Sequence, residues 1–196
     1  MGQKKTAVVL FPHFCNFEIA ILLSKLEMVN KPVVFIGASK EIYPCEEGMQ
    51  TVVDKTYDEC DFNEFDSLVI TGSYAEGQYI LFKDEKLHSI IRKFNEDKKL
   101  IAAISSGPMT LCKAGIMKNR KFIAGVEKKW YLEDENIRLK EEDMKGLIGY
   151  KDVTKMTKEP DFMLDGNILT ALGYRYVEWA NEFMRIIKQS KPFLVK

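Results

Sequence analysis

The sequence predicts an α/β fold: a three-layer sandwich with a mostly parallel sheet, helices on both faces and a nucleophile-elbow turn. Three observations predict it. Short unbroken apolar runs recur along the chain, as in parallel strands covered on both faces. Segments of helical periodicity stand between them, the alternation that builds a sheet flanked by helices. The run Leu100-Ile101-Ala102-Ala103-Ile104 stops at Ser105-Ser106, and Gly107-Pro108 then opens a helix. Proline suits a first helical turn, where its missing N–H costs nothing. A side chain on such a turn stands at the carboxyl end of the sheet, facing the first free amides of the helix.

The elements follow in order. Ala7 to Phe11 reads as a strand, and Phe17 to Val29 as a helix that turns Phe17, Ile21, Leu22 and Leu26 toward the core. Pro32 to Ile36 is a second strand, closed by Gly37. A shorter β region spans Ile42-Tyr43 and Thr51 to Val53, with Glu47-Gly48 as its turn. Ser67 to Ile70 is a buried strand ending at Thr71-Gly72-Ser73. Leu87, Ile90, Ile91 and Phe94 form the stripe of an amphipathic helix. The Leu100–Ile104 strand and its helix come next, ended by Gly115. Residues 127–146 are charge-dense and read as a helix or a covering insertion; Trp130 and Tyr131 there suit either a pocket cap or an interface. Phe162 to Leu169 is a hairpin turning at Asp165-Gly166. Tyr174 to Lys188 is a final helix aligning Val177, Ala180, Met184 and Ile187.

Composition narrows the function classes. A chain of 196 residues with 46% hydrophobic content suits one globular domain over residues 1–196. Lys+Arg and Asp+Glu both number 29, so no global basic field holds a phosphate backbone, and no nucleic-acid partner is expected. The first apolar stretch is too short for a membrane span or signal peptide, so a cytoplasmic protein without a membrane partner is expected. Cys15, Cys45, Cys60 and Cys112 are far apart and form no CxxC pair; neither a metal site nor a cofactor is expected.

In a parallel sheet of this kind, ligands bind beyond the strand carboxyl ends. Three loops would meet there: Phe11 to Glu18, Thr71 to Gly77, and Ser105-Ser106-Gly107. Ser105 is the candidate nucleophile, set against the plainer role of helix N-cap that Ser105 and Ser106 both suit. Backbone amides after Gly72 and Ser105 could hold a developing oxyanion. Glu18 is a carboxylate in an apolar helix start, where burial would raise its pKa and make it a donor. His13 is the candidate base, against a plain loop histidine. Cys15, Tyr74 and Gly107 are candidate pocket residues, Cys15 competing with a packing role. His88 falls mid-helix between Leu87 and Ser89.

Ala7-Val8-Val9-Leu10-Phe11 with Phe17-Glu18, Val69-Ile70-Thr71-Gly72-Ser73, and Ile101 to Pro108 together resemble the ThiJ/PfpI family of the class I glutamine-amidotransferase-like superfamily. The likeness covers nearly the whole chain and is weakest across residues 125–160. It implies a flavodoxin-like fold. In that family the turn reads Ala-Ile-Cys-x-Gly-Pro with Cys as nucleophile, and the matching position here is Ser105. The family's Glu from the first strand–helix junction matches Glu18. Its oxyanion-type amides match Gly72-Ser73 and Ser106. Members often carry a His after the next strand, yet Phe122 to Glu127 holds none. The resemblance implies a hydrolase of the intracellular protease or amidase type, or a glyoxalase- or deglycase-like enzyme, on a small carbonyl or amide compound. It also implies a homodimer. With Ser for Cys and no following His, activity would be weak or lost; the alternative is a non-catalytic ligand-binding or regulatory protein of the same fold.

Overall fold

The computed structural model describes residues 3–135, 137 and 139–189. Its central sheet has seven strands: β1 (Lys5–Val9), β2 (Val33–Gly37), β3 (Lys55–Thr56), β4 (Phe65–Ile70), β5 (Leu100–Ile104), β6 (Met163–Asp165) and β7 (Ile168–Ala171). Their spatial order is β6-β7-β5-β4-β1-β2-β3. Every neighbouring pair is parallel except the β6–β7 hairpin. Apart from the edge strands β3 and β6, this is the flavodoxin-like order, whose direction of winding reverses between β1 and β4.

Among the described residues there are seven α-helices: α1 (Phe17–Met28), α2 (Ala75–Lys83), α3 (Glu85–Glu96), α4 (Pro108–Lys113), α5 (Lys128–Glu133), α6 (Tyr150–Val153) and α7 (Tyr176–Gln189). Helix α1 packs on α7 on one side of the sheet, while α3 and α2 pack with α4 on the other. The carboxyl halves of β1 and β4 and all of β5 are apolar because both faces of the sheet are covered there. Ala7, Val8, Val9, Leu68, Val69 and Ile101 through Ile104 have no solvent exposure.

Two features of this frame aim the site. Helix α1 begins at Asn16 with no side-chain cap of its own. The Glu47 carboxylate replaces it from a distant loop, accepting the amides of Asn16 (3.0 Å) and Phe17 (2.7 Å). The loop after β1 is tied to the loop after β4, since Cys15 N–H donates to Gly72 O at 3.0 Å.

Several expectations are corrected. Phe17 and Val177 are 44% and 39% exposed, and Ile21 is only partly buried; Phe17 stands at the edge of a cavity, edge-on to Tyr176 at the start of α7. Residues 75–83 form α2 rather than an extended loop. Within the charge-dense residues 127–146, of which 136 and 138 lie outside the described residues, stand α5 and a 3-10 turn at Glu141–Met144, and a short parallel ladder of Phe122–Ile123 with Leu147–Ile148 flanks them. Tyr174 belongs to a 3-10 turn, Gly173–Arg175, that precedes α7.

Candidate active site

β5 ends in the bend that its sequence foretells. Ser105 adopts φ +60°, a left-handed conformation that costs a side-chain-bearing residue roughly 1–2 kcal/mol. Three hydrogen bonds hold it there: Ser105 N–H to Ala171 O (2.9 Å), Gly125 N–H to Ser105 O (2.7 Å) and Gly107 N–H to Ile104 O (2.8 Å). Pro108 then opens α4, a helix of only six residues.

Glycines surround the Ser105 side chain. A methyl group on Gly72 would stand 2.7 Å from Ser105 Oγ, one on Gly173 3.2 Å away, and one on Gly125 3.4 Å away. Only bare backbone leaves the hydroxyl room at these points. Gly125 lies within the Phe122–Glu127 stretch, so that segment passes Ser105 as the resemblance implied, with no imidazole on it.

Glu18, in the first turn of α1, is 2% exposed. Its Oε2 accepts Gly72 N–H at 2.7 Å. Ser105 lies beside it, since a methyl group on Gly173 would stand 2.9 Å from Glu18 Oε1 and 3.2 Å from Ser105 Oγ, and the polar groups of Ser105 and Cys15 favour its charged form. Burial drives the carboxyl pKa up from 4.5 to about 7, against the opposing pull of these donors. Ser105 therefore sits beside a carboxyl that exchanges its proton near neutrality.

A cavity of about 370 Å³ opens here, lined by Ser105, Glu18, Cys15, Ser73, Gly125, Gly173 and Leu172, with Phe17, Tyr74, Tyr150 and Tyr174 toward solvent. Its remaining wall is Glu46, which the sequence reading missed. Burial raises the Glu46 pKa, against the opposing pull of the Cys15 thiol and the Tyr74 amide. The Cys15 thiol is thus set between two carboxyls; burial first, and then their charge, push its pKa far above the ordinary thiol value. A second cavity of similar volume adjoins at Ser73, Ser105 and Gly125 and extends past Gln78, Tyr79, Trp130 and Tyr131. Trp130 and Tyr131 are therefore pocket residues in this chain. Tyr131 Oη donates to Gln78 Oε1 at 3.0 Å.

Ser105, Glu18, Ser73, Tyr74 and Cys15 are brought together. Other expected members are placed differently. Gly72 N–H is engaged by Glu18, and Ser73 N–H donates to Ser106 Oγ at 3.0 Å, so neither amide is open to an incoming oxygen. Ser106 N lies 3.0 Å from where a Gly72 methyl would stand, a point 2.7 Å from Ser105 Oγ, and Ser106 lines the second cavity. Gly107 does not line the cavity; it packs against the carbonyls of Ile70 and Thr71, where a side chain would collide. His13 lines neither cavity. Its backbone turns at φ +65° with N–H bonded to Pro44 O (2.7 Å), and its charge acts on Glu46. His88 is buried in α3 with Nε2 2.9 Å from Leu81 O. Among the described residues, no cluster of His, Cys, Asp and Glu is arranged to hold a metal ion. No described helix is long and apolar enough to cross a membrane.

Comparisons with known proteins agree with this architecture. Over 108 residues, 55% of its length, the chain is 41% identical to Deglycase TK1284 of Thermococcus kodakarensis and 32% identical to Deglycase PfpI of Pyrococcus furiosus. Those matches span 64% of each relative, less than two thirds of their length. Among solved structures, the ThiJ/PfpI domain protein of Brachyspira murdochii is similar with a TM-score of 0.72 at 17% identity, covering 96% of this chain and 99% of that one. A two-domain Anabaena variabilis protein with DJ-1/ThiJ/PfpI-like and ferritin-like domains reaches 0.76 at 19% identity, covering 95% of this chain and 48% of that one. A profile of the DJ-1/PfpI family matches residues 4–186, and the chain belongs to that family.

Proposed function

We propose that this protein is a slow, Ser105-dependent enzyme of the hydrolase type, acting on a small carbonyl or amide compound with Glu18 as its proton carrier. The observation that carries the reading is the Ser105 hydroxyl facing the Glu18 carboxyl at the mouth of a small-molecule-sized cavity. Ser105 Oγ would add to the substrate carbonyl carbon while its proton passes to Glu18. The carbonyl π pair moves to oxygen, near the Ser106 N–H. With an amide, collapse expels the amine with the proton that Glu18 returns; water then adds to the acyl carbon, giving a proton to Glu18, which passes it to Ser105 Oγ as the acid leaves. A carboxyl with a pKa near the working pH suits this exchange. Serine without an imidazole is a weaker nucleophile than the thiolate of related proteins, which makes the reaction slow. Relatives named deglycases support small-carbonyl chemistry.

A second reading, ligand binding without turnover, is favoured by one observation: the Gly72 and Ser73 amides are already engaged. Turnover of simple amides by the wild type and Ser105→Ala separates the two. Activity lost in the variant supports the enzyme. Activity that survives it removes Ser105 from the mechanism, and a wild type with none leaves the binding protein.

A further inference from the structure

We infer that the cavity beside Ser105 selects cationic small molecules, namely amide or carbonyl compounds that also carry a protonated amine or a guanidinium group. This rests on the reading above and names the ligand class for the same site. Among its lining residues there is no Lys, Arg or His, whereas Glu18 and Glu46 both contribute carboxyls to the wall. Cys15 lines the same wall and interacts electrostatically with both. An anionic ligand would meet two acidic groups, and His13, which acts on Glu46, is not among the residues that line the cavity. A neutral one would gain nothing from them.

The mouth favours the same charge. Phe17, Tyr74, Tyr150 and Tyr174 line it, and each is more than two fifths exposed. Aromatic faces attract ammonium and guanidinium groups, and more strongly where water is partly excluded. Tyr174 already shows this preference: the Arg175 guanidinium lies 5.4 Å from its ring centre. That cation is committed elsewhere, to Glu159 at 3.0 Å and Asp161 at 3.4 Å, and it does not line the cavity. The adjoining cavity offers a poorer seat for charge, because its Asp134 accepts a hydrogen bond from Tyr79 Oη at 2.5 Å. A ligand holding its carbonyl at Ser105 would accordingly extend its charged arm toward Glu46.

The test uses calorimetric binding to Ser105→Ala, which separates recognition from turnover. Three probes of matched length serve: 5-aminopentanamide, neutral pentanamide and anionic glutaramate. The expected order is 5-aminopentanamide tighter than pentanamide by about ten-fold, with glutaramate weakest. Adding Glu46→Gln should bring the affinity for 5-aminopentanamide down to within about two-fold of that for pentanamide. Equal binding of the three probes, preference for glutaramate, or no binding of 5-aminopentanamide at millimolar concentration overturns the inference. A cation preference in a wild type that shows no turnover leaves the inference standing and removes the catalytic reading. Equal wild-type hydrolysis of pentanamide and 5-aminopentanamide does the reverse.

Discussion

At Ser105 and Glu18 the chemistry depends on where one proton resides. Glu18 retains a proton in the folded chain up to about pH 7, whereas the unfolded carboxyl loses it near 4.5. Between those values the folded state binds more protons, so stability falls as pH rises through the window. The cost at its upper end is roughly 3 kcal/mol at most, from the size of the shift. Glu18→Gln is neutral throughout and escapes this loss. Its melting temperature relative to wild type should climb from pH 4.5 to pH 7 and then level off, read by thermal denaturation across that range. A flat difference would mean that Glu18 ionises normally in the fold.

The same environment governs a thiol placed at Ser105. Cys15 is buried between two carboxyls and should resist alkylation, whereas position 105 opens on the cavity. Ser105→Cys is expected to react with iodoacetamide at least several-fold faster than any native cysteine, with peptide mapping to place the label. Labelling no faster than Cys15 would show that the bend confers no access.

At the level of elements, remote contacts complete what local sequence begins. Helix α1 lacks a cap of its own, and Glu47 supplies it with two charge-assisted bonds. Glu47→Ala should cost about 1 kcal/mol by chemical denaturation and loosen the helix start that holds Glu18. Long-range closures of this sort are what sequence reading misses. The strands β1, β2, β4 and β5 are legible because burial on both faces makes them continuous apolar runs, and α3 because its buried residues recur at helical spacing. Helix α2 is hidden because Gly77 and Gln78 sit on its buried face, Gly77 so that Ser73 can pack against it. Strand β3 is two residues long, too short to show any period. Ser105 and Glu18 could be found because each sits at the junction of a legible strand or helix. Glu46, Gly125 and Gly173 could not, since each reaches the site from a loop whose own sequence carries no pattern. Phe17 misleads for a related reason: at a helix start, an apolar residue can face a cavity as readily as the core.

Across the whole molecule, the two tryptophans divide the fold into a sensor of the site and a sensor of the core. Trp179 on α7 is fully buried and packs toward Phe183, so its emission reports the integrity of the sandwich. Trp130 on α5 is 55% exposed and lines the second cavity, beyond Ser105 from the Glu46 side. Because the two cavities meet at Ser105, Ser73 and Gly125, a compound seated at Ser105 and long enough to enter the second one must alter the surroundings of Trp130 before those of Trp179. Trp130→Phe should therefore abolish the change in emission on adding such a compound, and most quenching by acrylamide, while the red shift on unfolding persists through Trp179. Steady-state fluorescence of the wild type and this variant checks it. A ligand response that survives in Trp130→Phe would mean that binding is transmitted through the sheet to α7, and the two cavities would then have to be treated as coupled to the core rather than confined to the open end of the strands.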